Sequence, residues 1–409
     1  MDSNKRYVEG ICKSKIFLAV VGLIVVLCSG HAFQSVYNWV NYFVLLPAAV
    51  FVFIIISEIG ALRLRTVDYA WLALMMMCLV SLLVNAGEAL TVYIQLISYI
   101  TVGYFIATHF SFDGFVKWYL RIMTVVTVAS LIGYFLLNNT ELLDWLPKVS
   151  NIKDFEYGVG VIFNYITVVP DRNCGMFWEP GLFASTLIIA LVFELVFKKD
   201  KVSWVRVILF GATIFTVNSS AGFVLLFFSV MLLFARNLKI KNIYAWWVPI
   251  AVVGLAASVV LLLNIETIIS TTSLAENEYF EKLLSENVLE SSRTEAVKHN
   301  LEVFSSDPIF GVGYIEAAER MEHVADTSTS TYLLSVYGIP GALYTIFWIV
   351  GIFKQRKNVF VKIILLAIFL LIINKEPHQN LAYSWIILFF LLKDTESADS
   401  CVADGGEND

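Results

Sequence analysis

Apolar residues in this chain gather in long runs instead of alternating every second position or forming one amphipathic stripe. A helix that crosses a bilayer needs about 17–25 apolar residues, and runs of that kind recur from end to end. They predict about twelve spanning helices, at 16–33, 40–59, 68–85, 89–107, 118–137, 180–197, 203–217, 221–235, 244–264, 330–352, 359–374 and 381–392. The seventh, eighth and last are short. The basic N-terminus followed by an apolar run imitates a signal peptide. No small-x-small cleavage site follows, and Leu27 precedes Cys28, so the run from Ile16 reads as a retained first span.

The polar segments between the runs carry the orientation. Lys5, Arg6, Lys13 and Lys15 precede the first span; Arg63 and Arg65 follow the second; Lys198, Lys199, Lys201 and Arg206 follow the sixth. Arg236, Lys239 and Lys241 follow the eighth, and Lys354, Arg356, Lys357 and Lys362 the tenth. Alternating spans put all of these on one side, the cytoplasmic side by the positive-inside rule, with both termini there. Two long stretches then face outward, at about 138–179 and 266–329, and loops of such length in a compact protein are functional or disordered. The second is acidic, with Glu266, Glu276, Glu278, Glu281, Glu286 and Glu290. The tail at about 394–409 is small, polar and acidic, the composition of a disordered segment. The expected fold is thus an all-α polytopic membrane protein, one membrane domain over 1–409 with two large periplasmic loops, in a bacterial inner membrane.

Composition strengthens this picture. The 409 residues are 58% hydrophobic and 15% charged, with a mean hydropathy of +0.76, whereas soluble domains carry about a quarter charged residues. Five cysteines, Cys12, Cys28, Cys78, Cys174 and Cys401, form no CxxC pair and no metal-ligand spacing, and on this topology only Cys174 clearly faces outward. There is no GxxxxGK[ST] loop and no GxGxxG, which argues against nucleotide or dinucleotide chemistry; no cofactor, metal or nucleic acid is expected. The first outward loop, Ser29 to Asn41, has no Asp or Glu, unlike the metal-dependent membrane glycosyltransferases. Glu58, Glu88 and Glu194 sit near span ends, so the midplane charges of an ion-coupled transporter are sparse.

Four constellations could carry chemistry. The first is Pro170-Asp171-Arg172-Asn173-Cys174-Gly175-Met176-Phe177-Trp178-Glu179-Pro180-Gly181. Proline is tolerated at a first helical position, so a span starts at Pro180 with Phe177 and Trp178 at headgroup depth. Arg172 there either pairs with Asp171 or Glu179 or meets an anion. The second is Ser292-Arg293-Thr294-Glu295, a capping box that starts a helix. At 100° per residue Arg293 falls on the side of Ala296, Val297, Asn300 and Phe304, an apolar face. A cation in a first helical turn opposes the dipole by about 0.3–1 kcal/mol, which a bound anion would offset; a Glu290–Arg293 surface pair is the plainer alternative. Third, Asn218-Ser219-Ser220-Ala221-Gly222 reads as a close-packing turn. Fourth, Asp326-Thr327-Ser328-Thr329-Ser330-Thr331-Tyr332 leads to Tyr337-Gly338-Ile339-Pro340-Gly341; hydroxyls there read first as helix caps and second as substrate contacts. Two arginines beside a membrane suit a lipid pyrophosphate, since the guanidinium fork matches phosphate oxygens and stays charged.

At these motifs the sequence resembles the O-antigen polymerase/ligase superfamily, most closely Wzy-type polymerases. Arg172-x-x-Gly175-x-Phe177-x-Glu179-Pro180, Ser292-Arg293-Thr294-Glu295 with Asp307-Pro308-Ile309-Phe310-Gly311-Val312-Gly313-Tyr314, and Tyr337-Gly338-Ile339-Pro340-Gly341 carry the likeness over roughly 160–350. The resemblance implies an all-helical, metal-independent glycosyltransferase that moves a growing glycan between undecaprenyl-pyrophosphate carriers, with Arg172 and Arg293 engaging substrate. Its partners would be the lipid-linked oligosaccharide, membrane lipid, a chain-length regulator and a flippase. The ligase branch carries His-Asn where Thr327-Ser328 stands here, and His323 is out of register. That departure favours polymerase over ligase, leaves Glu179 as candidate base for the acceptor hydroxyl, and puts Asn173 and Thr327 among the substrate contacts. A repeat-unit flippase is the remaining alternative.

Overall fold

The computed structural model describes residues 15–58, 65–85, 89–141, 145–151, 155–237, 292–320 and 328–393. The expected ninth span at 244–264, most of the acidic loop and the tail lie outside the described residues. Each remaining expected span coincides with helix: α1 (Lys15–Leu27), α3 (Leu45–Glu58), α4 (Thr66–Val84), α5 (Leu90–His109), α6 (Phe112–Asn139), α7 (Pro180–Val192), α8 (Trp204–Val217), α9 (Ser220–Asn237), α14 (Val359–Ile373) and α15 (Ala382–Leu392), with α12 (Thr329–Tyr337) and α13 (Ala342–Lys354) sharing one span. The short helix α2 (Ala32–Val36) follows the first span, and α10 (Ser292–Ser306) and α11 (Tyr314–Arg320) belong to the second long loop. Four helical stretches, Thr66–Val84, Leu90–His109, Phe112–Asn139 and Pro180–Phe197, are by themselves long and apolar enough to cross a membrane.

Two helices form the centre. Every residue of α7 and of α15 is buried, which is why neither has a polar face: a helix apolar all round belongs inside. Glycine lets the backbones close up. A Cβ on Gly103 of α5 would lie 2.7 Å from the Trp385 backbone, and one on Gly351 of α13 would lie 2.9 Å from Leu391 Cβ.

The bundle has two unlike ends. At the first, Lys393 donates to Ala107 O at 2.9 Å, Lys357 to Val196 O at 2.8 Å and Lys354 to Leu392 O at 2.8 Å. This basic end also holds Arg65, Lys198 and Arg206, so cations that the sequence put on one side do gather at one end. At the opposite, loop end, Trp178 N donates to Gly30 O, Asn173 N to Thr216 O and Ala382 N to Cys28 O.

Two features depart from the expected continuous helices. The all-α reading misses a small antiparallel sheet at the loop end, β1 (Lys148–Ser150), β2 (Glu156–Val159) and β3 (Asn164–Ile166), in the order β1-β2-β3. Its strands are too short to show a period of two. His31 ties it to the first loop: one ring nitrogen donates to Val161 O at 2.8 Å, and Nδ1 accepts from Phe33 N at 3.0 Å. The span expected at 330–352 is broken at Gly338, where φ is +65°. Ile339 N donates to Pro308 O, Val312 N to Ser335 O and Gly313 N to Val336 O. The Asp307–Gly313 segment thus satisfies one amide and two carbonyls of the break, since interrupted helix leaves backbone groups that need partners. A Cβ at Gly338 would sit 2.6 Å from Ile309 O, so both halves of this motif are fixed by backbone meeting backbone.

Candidate functional site

Pro180 starts α7 with Glu179 as its N-cap residue; the Glu179 side chain makes no capping hydrogen bond. It turns instead toward the start of the helix. Gly181 leaves the space that it uses: a Cβ there would lie 3.1 Å from Glu179 Oε1, 2.8 Å from Glu376 Oε1 and 3.1 Å from Lys375 Cε. Two carboxylates and a lysine therefore converge on one bare glycine.

Lys375 and Glu376 belong to the turn Asn374–Asn380 between α14 and α15, and both are buried, at 4% and 1% exposure. Lys375 Nζ donates to Gly181 O at 3.0 Å and to Ser219 Oγ at 3.1 Å, tying α7 to the α8–α9 turn. That turn bends at Asn218, the one described non-glycine residue with positive φ (+48°). Gly222 meets Ala184 there, its hypothetical Cβ lying 3.1 Å away, so the small residues do serve close packing, and Ser219 has a polar task besides.

The hydroxyls that open α12 hold the same turn. Thr329 Oγ1 donates toward Glu376 O (2.9 Å) and Gln379 Oε1 (2.7 Å) and accepts from His378 N at 2.8 Å. Ser328 Oγ and Ser330 N both donate to Asn374 Oδ1, at 3.0 and 3.1 Å. The His378 ring contacts Ser384 Oγ through Nδ1 at 2.7 Å; its buried Nε2 has no hydrogen-bond partner among the described residues. Burial, and after it the Lys375 charge, push the His378 imidazole down to about 3.

Arg172 is half-buried, with Nε 3.5 Å from Val217 O, a contact too long to hold the guanidinium firmly. Its charge and that of Glu179 both reach Cys174, whose thiol burial pushes up to about 12; the Arg172 charge opposes that rise and the Glu179 charge adds to it. Tyr157 of β2, also raised to about 12 chiefly by burial, feels Glu179 as well. Asn173 is engaged by the scaffold: Nδ2 donates to Thr216 Oγ1 (3.0 Å) and Ser130 Oγ (3.4 Å), and Oδ1 accepts from Gly175 N (2.9 Å). All its hydrogen-bonding groups face protein, which explains its burial and leaves no amide group for a sugar.

Helix α10 begins at Ser292, as the capping-box pattern predicts. Its inward stripe is Ala296, Asn300 and Val303, and it docks on α12 through Asn300 Nδ2 to Thr331 Oγ1 (3.0 Å) and Ser335 Oγ to Asn300 O (2.7 Å). Arg293 lies on this helix one turn before Ala296. Its side chain, and Thr327 with His323, lie outside the described residues.

The site thus brings together Glu179, Arg172 and the hydroxyls from 328 onward, and adds Lys375, Glu376 and His378. The sequence held one signal for these three: in a chain only 15% charged, Lys-Glu-Pro-His sits between two apolar runs in a turn needing no such charge.

No curated protein matches this chain. Residues 205–335 match the family model described as O-Antigen ligase, a stretch that includes Ser219 and Arg293 but not Arg172, Glu179 or the Asn374–Asn380 turn. That match, over about a third of the chain, supports the O-antigen polymerase/ligase superfamily, whose members are glycosyltransferase-like membrane enzymes acting on lipid-linked glycans.

Proposed function

We propose that the chain is a polysaccharide polymerase, which transfers the growing glycan from one undecaprenyl-pyrophosphate carrier onto an incoming lipid-linked repeat unit. The observation that carries this is the meeting of Glu179 with Lys375 and Glu376 at the end of the bundle that also bears Arg172. The acceptor hydroxyl gives its proton to a carboxylate and attacks the anomeric carbon. The bond from that carbon to the pyrophosphate oxygen breaks, and the carrier leaves with the electron pair. Arg172 and Arg293 stabilise the charge that collects on the leaving pyrophosphate, as charge-assisted guanidinium contacts do. The activated bond supplies the energy, so no nucleotide enters. On this reading the loop end faces the periplasm, the basic end and both termini face the cytoplasm, and the membrane is the bacterial inner membrane. A chain-length regulator and a flippase are its expected partners.

The description of the matching family favours a second reading, a ligase that passes finished glycan to a terminal acceptor. Against it stands Thr327-Ser328 where the resembling ligases carry His-Asn. The glycan ladder of cells lacking this gene decides. A polymerase deletion leaves acceptors capped with a single repeat, wild type restores the ladder, and Arg293→Ala does not, although its protein level persists. Bare acceptor with accumulated lipid-linked polymer identifies a ligase instead, and repeat units held on the cytoplasmic leaflet identify a flippase.

A further inference from the structure

Glu179 does not act alone if it accepts the proton, because its surroundings come from a segment almost two hundred residues away. We propose that Lys375 is the positioning residue of this centre and Glu376 its second carboxylate. The proposal rests on the polymerase reading above and deepens it.

Three observations carry it. Lys375 is fixed from two sides, by Gly181 O and Ser219 Oγ, so its ammonium cannot swing away from the α7 start. Gly181 has no Cβ where both carboxylate oxygens and Lys375 Cε approach one point. The turn presenting Glu376 is held by Thr329 through three hydrogen bonds and by Asn374 through two more. Beside it the buried His378 Nε2 has no partner among the described residues, which leaves one nitrogen for an incoming polar group.

The charge balance assigns the role. One ammonium stands against two carboxylates, so this corner repels a pyrophosphate and suits a neutral hydroxyl about to lose its proton. The phosphate belongs with Arg172, the cation whose charge also reaches Cys174. An opposite charge at such range favours the ionised carboxylate and a like charge disfavours it. Lys375 is therefore the fixed cation beside the proton acceptor, and Glu376 its like-charged neighbour. Among the described residues, the charged and titratable groups around Glu179 are Lys375 and Glu376 from the turn, Cys174, and Tyr157 from β2; Arg172 acts on the same Cys174, and Lys375 acts on His378.

The test is the pH profile of polymer synthesis by purified full-length protein in nanodiscs, supplied with lipid-linked repeat units extracted from cells lacking this gene. Activity that needs a carboxylate falls as pH falls. In Lys375→Met the acid limb moves to higher pH, and in Glu376→Gln to lower pH, each by on the order of one unit. Lys375→Arg keeps the wild-type limb. A limb that stays fixed in a Glu376→Gln protein of wild-type melting temperature overturns the proposal, even if Lys375→Met fails to fold. Rates that fall in both variants with no movement of the limb reduce the turn to a structural role. Wild-type protein that makes no polymer defeats the polymerase reading itself, a separate outcome.

Discussion

Both ends of this bundle bury carboxylates, and they do so in opposite ways. At the basic end Glu194 pairs with Lys198 at 2.8 Å, one helical turn on, and accepts from Ser203 N at 2.5 Å. Arg206 Nε stands 2.9 Å from its second oxygen, too oblique for a hydrogen bond but an ion contact all the same. Asp68 is held by Arg65, three residues away, and by Tyr104 OH at 2.6 Å. Each acid there has cations supplied within about a dozen residues of chain. At the loop end the cation and the two acids come from Glu179 and from Lys375–Glu376, and they meet only because α7, the α8–α9 turn, α12 and α15 are in place. Locally satisfied charge closes a structure. Charge assembled from afar, over a glycine that leaves room, is what the proposed centre is built from.

The sharpest way to break this contrast is at Glu194. Glu194→Ala leaves Lys198 and Arg206 facing each other without their anion, and removing one partner of a buried pair costs on the order of 3–5 kcal/mol. The expected result is protein that fails to accumulate or melts far below wild type in detergent, whatever the assay of activity says. A Glu194→Ala protein of normal yield and melting temperature that loses only polymer synthesis would invert the roles given to the two ends.

Gly181→Ala tests the other side with one methyl group. At a helical position alanine in place of glycine stabilises by about 0.4–1 kcal/mol, which offsets part of the crowding against Glu376 and Glu179. The new Cβ nevertheless stands where Glu376 Oε1 must approach to 2.8 Å. Polymer yield should drop roughly tenfold or more, since a displacement of about 1 Å at a reacting group costs of that order or above, while the melting temperature stays near wild type. Unchanged chain length on the glycan gel would show that the convergence over Gly181 has no part in the chemistry.

The same contrast explains what could be read from the chain alone. The start of α7 at Pro180, the start of α10 at Ser292 and the gathering of cations at one end follow from local rules about caps, proline and charge. The break at Gly338 is missed although Gly338, Pro340 and Gly341 lie inside residues 330–352, because the apolar run around them reads as one span and the wedge from Pro308 to Gly313 that seats the break is remote in sequence. Asn173, expected among the substrate contacts, is engaged by Thr216 and Ser130, some forty residues away in either direction. Glu179 was legible as a candidate; Lys375 and Glu376 showed only as a charged turn between two apolar runs, a signal that gains meaning from Gly181 and Ser219.

The smallest expected effect separates the ends by pH. His31 and His378 both sit at the loop end in neutral form, the first lowered by burial and the second pushed to about 3 by burial and Lys375. A histidine whose folded value is depressed contributes stability that is present above its unfolded value of about 6.5 and is lost as pH falls toward the folded one. His31 cannot take a proton on Nδ1 without giving up Phe33 N as donor. Melting temperature should therefore decline steadily below about pH 6.5, and His31→Gln should make that decline shallower, because one of the two groups that must be charged is gone. Variants of the basic end, Asp68→Asn for example, should lower the whole curve with the histidine part of its slope unchanged. If instead His31→Gln leaves the slope as it was, the buried neutral His31 does not set the acid sensitivity and the contrast between the ends fails on this point.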